Sequence, residues 1–120
     1  MSDILIVDDD LRMRRLIARI LADAGHTVHE AGDGKAGIEL YRRVRPALVV
    51  TDIVMPDMEG IEMIRELRRE APALPILAVS GSGRPVYLRA ATGLGATASL
   101  AKPFRRDALL AAVANLLSAA

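Results

Sequence analysis

Four short apolar runs in this chain each stop on a residue that can do chemistry. Ile4-Leu5-Ile6-Val7 runs into Asp8, Asp9 and Asp10; Ala47-Leu48-Val49-Val50-Thr51 runs into Asp52; Pro75-Ile76-Leu77-Ala78-Val79 runs into Ser80; Ala98-Ser99-Leu100-Ala101 runs into Lys102 and Pro103. Each run has the length of a strand, and several lack polar alternation, as strands buried on both faces do. If all four belong to one parallel sheet, their C-terminal ends collect acids, a hydroxyl and an ammonium on one edge. That edge is where open α/β sheets carry their sites.

The segments between the runs have helical period. Met13, Leu16, Ile17, Ile20, Leu21 and Ala24 mark a first helix over 11–24, with Asp10 placed as its N-cap and Gly25 as its terminator. His26 to Glu30 alternates weakly and reads as a short second strand. Asp33 caps a second helix over about 34–44, with Ala36, Leu40, Tyr41 and Val44 on one face, and Pro46 breaks it. A third helix follows Gly60, with Ile61, Ile64, Leu67 and Ala71 inward. Pro85 suits the first turn of a fourth, ending near Thr92. The last runs from Phe104 to Ala119, with Leu109, Leu110, Val113, Leu116 and Leu117 at core spacing.

Strict alternation of strands and helices argues for a parallel sheet covered on both faces. Right-handed crossovers leave few topologies. The expectation is a flavodoxin-like, doubly wound (βα)5 fold, with a five-stranded parallel sheet in the order 2-1-3-4-5. The 120 residues fit one domain, 1–120.

Composition narrows the chemistry. A net charge of +1 gives no argument for nucleic acid or an anionic membrane. No stretch is long and apolar enough to span a bilayer, and no secretory pattern opens the chain. The absence of cysteine excludes disulfides, thiolate catalysis and zinc–cysteine sites, and is compatible with a cytoplasmic location. Tyr41, Tyr87 and Phe104 are the only aromatics, too few for a base-stacking platform.

Carboxylates gathered at one edge repel each other and call for a cation. Asp8, Asp9 and Asp52 offer only hard oxygen ligands, which suit Mg²⁺, with Mn²⁺ as a substitute. A carboxylate can also act as a nucleophile toward a phosphoryl group, forming an aspartyl-phosphate. Lys102 then supplies a point charge and Ser80 a donor for the transferred group. Asp10 is better read as a helix cap than as part of this set.

With those residues in view, the sequence resembles a response-regulator receiver domain of two-component signalling, of the single-domain, chemotaxis-regulator-like kind. The resemblance covers about residues 3–119. It rests on Ile6-Val7-Asp8-Asp9-Asp10, on Val50-Thr51-Asp52-Ile53-Val54-Met55-Pro56 continuing to Gly60, on Ser80-Gly81, and on Lys102-Pro103-Phe104. It implies that Asp52 is phosphorylated and that Asp8, Asp9, Asp52 and the Val54 main-chain carbonyl hold Mg²⁺. It implies that Ser80 and Lys102 bind phosphoryl oxygens, and that the Lys102–Pro103 peptide is cis. The donor would be a histidine kinase or a histidine phosphotransfer protein, with small phosphoryl donors also competent. Output would be a downstream protein target or a homodimer, reached through the fourth predicted helix, the fifth strand and the last helix. No nucleic acid or membrane would be bound directly. The chain would catalyse only its own phosphorylation and slow dephosphorylation.

Three positions depart from the family pattern. Ser99 stands where a Tyr or Phe usually reports the switch, with Tyr87 as a possible substitute and Phe104 nearby on the partner face. Val54 stands where a polar residue often helps place hydrolytic water, which predicts a long-lived phosphoaspartate. Ala47 replaces an Asp that commonly precedes the third strand. The chain ends where a receiver ends, as expected of a single-domain regulator or an excised receiver. The uncharged segment 108–120 is apolar nearly all round and is expected to need cover on more than one side. Arg12, Arg14 and Arg15, beside the acidic edge, read either as a kinase-docking set or as a solvated helix face.

The rivals are a haloacid-dehalogenase-type phosphohydrolase with Asp8 as nucleophile, a nucleotide or flavin binder on the same fold, and a degenerate receiver acting only as an interaction module. The phosphohydrolase leaves Met55-Pro56 and Gly60 without a role. The glycine pairs Gly81/Gly83 and Gly93/Gly95 are not a full phosphate-binding fingerprint.

Overall fold

A computed structural model of the chain describes residues 2–53, 59–80, 93 and 95–119. In chain order the elements are β1 (Asp3–Val7), α1 (Leu11–Asp23), β2 (Thr27–Ala31), α2 (Gly34–Val44), β3 (Leu48–Asp52), α3 (Glu59–Glu70), β4 (Ile76–Ser80), β5 (Ala98–Ala101) and α4 (Arg106–Ser118). The helix expected over 85–92 lies outside the described residues, so the last helix is labelled α4 here.

The five strands form one parallel sheet in the order β2-β1-β3-β4-β5, as expected from the alternation. Because side chains of a strand point to alternate faces, each central strand feeds two cores. Leu5, Val7, Val49, Ile76 and Ala78 face α2 and α3, where they meet Tyr41, Met63, Ile64 and Leu67. Ile4, Ile6, Leu48, Val50, Leu77 and Val79 face α1 and α4, where they meet Ile17, Leu21, Leu109 and Val113. All of these strand residues are completely buried, which explains why their sequence shows no polar alternation.

The helix punctuation follows the local chemistry. Asp10 accepts from the amides of Arg12 and Met13, and Asp33 from that of Ala36, so both act as N-caps. Gly25 follows α1 at φ 99°, a conformation that favours glycine. The third helix begins at Glu59, so Gly60 lies within its first turn rather than before it, and two further expectations shift. The last helix begins at Arg106 rather than Phe104, because Phe104 packs against the α1/α4 core from the connecting loop. Leu16 is half exposed rather than inward: the core stripe of α1 runs through Ile17, Ala18, Ile20 and Leu21.

At the edge of the sheet opposite the predicted site, one arginine ties three segments together. Arg68, near the end of α3, donates through Nη1 to the carbonyls of Ala71 (3.1 Å) and Pro72 (2.9 Å). It donates through Nε and Nη2 to the carbonyl of Gly95 (3.0 and 2.6 Å), and Nη2 lies 3.4 Å from Thr97 Oγ1. Burial lowers its pKa from the ordinary guanidinium value, but an arginine stays charged at any working pH. Thr97 Oγ1 in turn accepts from the amide of Ile76, so the start of β5 is joined to the start of β4. A hydrogen bond to a charged group contributes roughly 1.5–3 kcal/mol net, and bonds made by one side chain do not add in full. Arg68→Ala is therefore expected to lower the unfolding free energy by about 2–3 kcal/mol, with Arg68→Lys recovering part of it. Urea denaturation at neutral pH measures both.

Candidate functional site

The ends of β1, β3 and β5 bring four of the predicted residues together. Asp8 follows β1 directly, Asp52 is the last residue of β3, and Lys102 follows β5. The Lys102 ammonium lies 3.1 Å from Asp8 Oδ2 and 3.4 Å from Asp52 Oδ2, bridging residues far apart in sequence. Its peptide bond to Pro103 is cis. One carboxylate oxygen from each of Asp8, Asp9 and Asp52 lies within 4.8 Å of the others.

The three acids differ in environment. The Asp8 side chain is 1% exposed and both of its oxygens are engaged: Oδ1 accepts from the Asp10 amide at 2.9 Å and Oδ2 pairs with Lys102. The Asp52 side chain is 10% exposed. Asp9 is open to solvent. Among the described residues, the Lys102 ammonium thus contacts two of three clustered carboxylates. Unit charges about 4 Å apart interact by about 4 kcal/mol at an effective dielectric near 20, so a set with more carboxylate than cation favours uptake of a further cation. All donors are oxygens, and one acid is solvated. This fits a hard divalent ion that keeps several waters better than a fully enclosed ion.

Other predicted positions divide. Ser99 is exposed on β5, and Phe104 is half-buried against the α1/α4 core. The main chain of Ser80 closes β4, paired with Ala101, one strand over from Asp52, whose register partner is Val79. The Ser80 side chain, Val54 and Tyr87 lie outside the described residues.

Two site-forming residues escaped the sequence reading. The first is Gly60, noted there only as part of a motif. A Cβ at this position would stand 2.5 Å from the Asp52 carbonyl oxygen and 2.9 Å from the Ile53 Cα. The first turn of α3 therefore lies directly against the main chain that carries Asp52, and only a residue without a side chain permits that approach. The second is Arg14, grouped in the sequence reading with Arg12 and Arg15. Its side chain is 17% exposed and turns inward, while Arg12 and Arg15 are exposed. The signal for it was present: Arg14 stands three residues before Ile17 and seven before Leu21, on the stripe that faces the sheet. Among the described residues no buried side-chain polar atom lacks a partner.

Comparison with known proteins gives a consistent picture. A family model described as the response regulator receiver domain matches residues 4–114. Response regulator MprA of Mycobacterium leprae is 38% identical over 114 residues, covering 95% of this chain and 50% of that protein. The chain thus spans about half the length of the MprA regulators it matches. Chemotaxis protein CheY of Halobacterium salinarum is 32% identical over 118 residues, covering 98% of both. Among solved structures, the receiver domain of NtrX from Brucella abortus superposes with a TM-score of 0.94 at 32% identity, covering 98% of this chain and all of that one.

Gly60→Ala is expected to cost about 1–3 kcal/mol of stability, the usual range for overpacking against a rigid neighbour. It is also expected to weaken divalent-cation binding, since Asp52 must move with its carbonyl. Urea unfolding and Mn²⁺ titration of the same samples report the two effects.

Proposed function

This chain belongs to the response-regulator receiver family, and from that premise we propose that it is the phosphoacceptor of a two-component relay. It takes a phosphoryl group from a histidine of a histidine kinase or a histidine phosphotransfer protein onto Asp52. Asp8, Asp9, Asp52 and the Val54 main-chain carbonyl hold one Mg²⁺. The observation that carries this reading is the Lys102 ammonium shared between the Asp8 and Asp52 carboxylates, with Asp9 completing the oxygen set.

The transfer balances simply. A carboxylate oxygen of Asp52 attacks phosphorus, a P–O bond forms, and the bond from phosphorus to the donor imidazole nitrogen breaks. The electron pair returns to that nitrogen, which takes up a proton. Bound Mg²⁺ would offset charge on the phosphoryl oxygens. Lys102, 3.4 Å from Asp52 Oδ2, pairs with one phosphoryl oxygen, and the Ser80 hydroxyl donates to another. Asp52 rather than Asp8 is the nucleophile. The burial of Asp8 and the engagement of both its oxygens speak against the phosphohydrolase alternative.

The chain is a switch rather than a turnover enzyme, and residues 1–120 act as a single receiver domain in the cytoplasm. No helix among the described residues is long and apolar enough to cross a membrane. The kinase docks on α1. Leu11 and Leu16 are half exposed there, beside the exposed Arg12 and Arg15. The output face comprises β5, α4 and the predicted helix around Tyr87, with Ser99 and Phe104 on it. In support, Leu110, Leu116 and Leu117 of α4 are only half covered. With Val54 unable to orient water, the phosphoaspartate is long-lived.

Incubation with acetyl phosphate and Mg²⁺, followed by mapping of the modified residue, tests the central claim. Modification at Asp52, abolished by Asp52→Asn and by chelation of the metal, is the expected result. Modification at Asp8, or steady release of phosphate, would overturn it. Once the protein is phosphorylated, Val54→Asn is expected to shorten the phosphoryl half-life severalfold in Mg²⁺ buffer, as followed by loss of the added mass.

A further inference from the structure

The loop that carries Asp8, Asp9 and Asp10 is held from outside through its main chain. Arg14 Nη1 donates to the main-chain carbonyl of Asp8 at 3.0 Å, and Arg14 Nε pairs with Glu30 Oε1 at 3.1 Å. The guanidinium passes over Gly32, where an added Cβ would stand 3.1 Å from Nη1. On the other side of the same residue, the Asp8 amide donates to the Ala31 carbonyl at 3.2 Å. The main chain of Asp8 is thus gripped at both its donor and its acceptor by the end of β2 and by the arginine that β2 anchors. Asp9 follows immediately, and it is exposed to solvent.

We propose that Arg14 is a positioning residue for the cation site. Acting through the Asp8 carbonyl, it keeps the solvent-exposed Asp9 carboxylate within reach of Asp8 and Asp52. The proposal rests on the reading that these three acids take a divalent ion. Its sign separates it from simple electrostatics. A positive charge near the acids repels a cation, so if Arg14 acted only as a charged neighbour, removing it would tighten binding. If it acts by geometry, removing it loosens binding. Groups that orient metal ligands typically change metal affinity by about 10–100-fold when lost.

The test is Mn²⁺ binding to the full chain, read from loss of the free-ion electron paramagnetic resonance signal. It is run on the wild type, Arg14→Ala, Arg14→Lys, Glu30→Gln, Asp9→Asn and the Arg14→Ala/Asp9→Asn pair. Arg14→Ala is expected to bind about tenfold more weakly, with Arg14→Lys, which retains the charge but not the fork, in between. Glu30→Gln loosens the far end of the guanidinium without touching the loop. It is expected to shift binding in the same direction, and it carries the test should Arg14→Ala not fold. Because the effect passes through Asp9, the double variant is expected to bind no more weakly than Asp9→Asn alone, a non-additivity that general destabilisation does not produce. Unchanged or tighter binding by Arg14→Ala overturns this proposal alone, as does full additivity in the double variant. Absence of binding by the wild type overturns the cation reading and this proposal with it.

Discussion

The site depends on one shared ammonium. Lys102 reaches the site from β5, at one edge of the sheet, and lies between carboxylates that end β1 and β3. Without a cation at this point, two largely buried acids would face each other at the end of a hydrophobic sheet, an arrangement that like-charge repulsion and burial both disfavour. The pairing is therefore both structural and chemical. It neutralises part of the acidic edge in the resting chain, and it puts a positive charge where a phosphoryl group on Asp52 would need one.

The rest of the fold delivers that pairing. Strand order 2-1-3-4-5 makes β1 and β3 direct neighbours, so Asp8 and Asp52 approach without any loop having to reach. Completely buried apolar side chains on both faces of these strands hold them between the two cores. Gly60 then lets α3 press against the Asp52 main chain, and Arg14 fastens the opposite side of the site to β2. One residue from each of two helices thus contacts main-chain atoms of the acids.

Much of this was legible in the sequence, for definite reasons. Runs such as Ile4–Val7 and Leu48–Val50 lack polar alternation because both faces are covered, and that single fact implies a parallel sheet with helices on either side. The position of reactive residues at run ends then follows from strand polarity. Periodicity failed where the inward stripe of α1 has a ragged border: Leu16 lies outside it and Arg14 inside, the reverse of their hydrophobicity. It also could not reveal Gly60 or Arg68. Their roles consist of contacts with backbone atoms, and a main-chain carbonyl leaves no mark on the sequence that shows which residue will approach it or donate to it.

Those two kinds of contact meet in β5. Its start is tied through Thr97 and Gly95 to Arg68, and its far end continues into Lys102. Four residues at about 3.3 Å each make a lever roughly 13 Å long. The Arg68 end is held by uncharged carbonyls, whereas the Lys102 end is held by carboxylates. Any change in the partners of Lys102 is therefore felt by a strand that is held at its start by Arg68 and along its length by β4. Ser99 and Ala101, the exposed residues of that strand, are thus the surface positions that share a backbone with both the Arg68 anchorage and the acidic site.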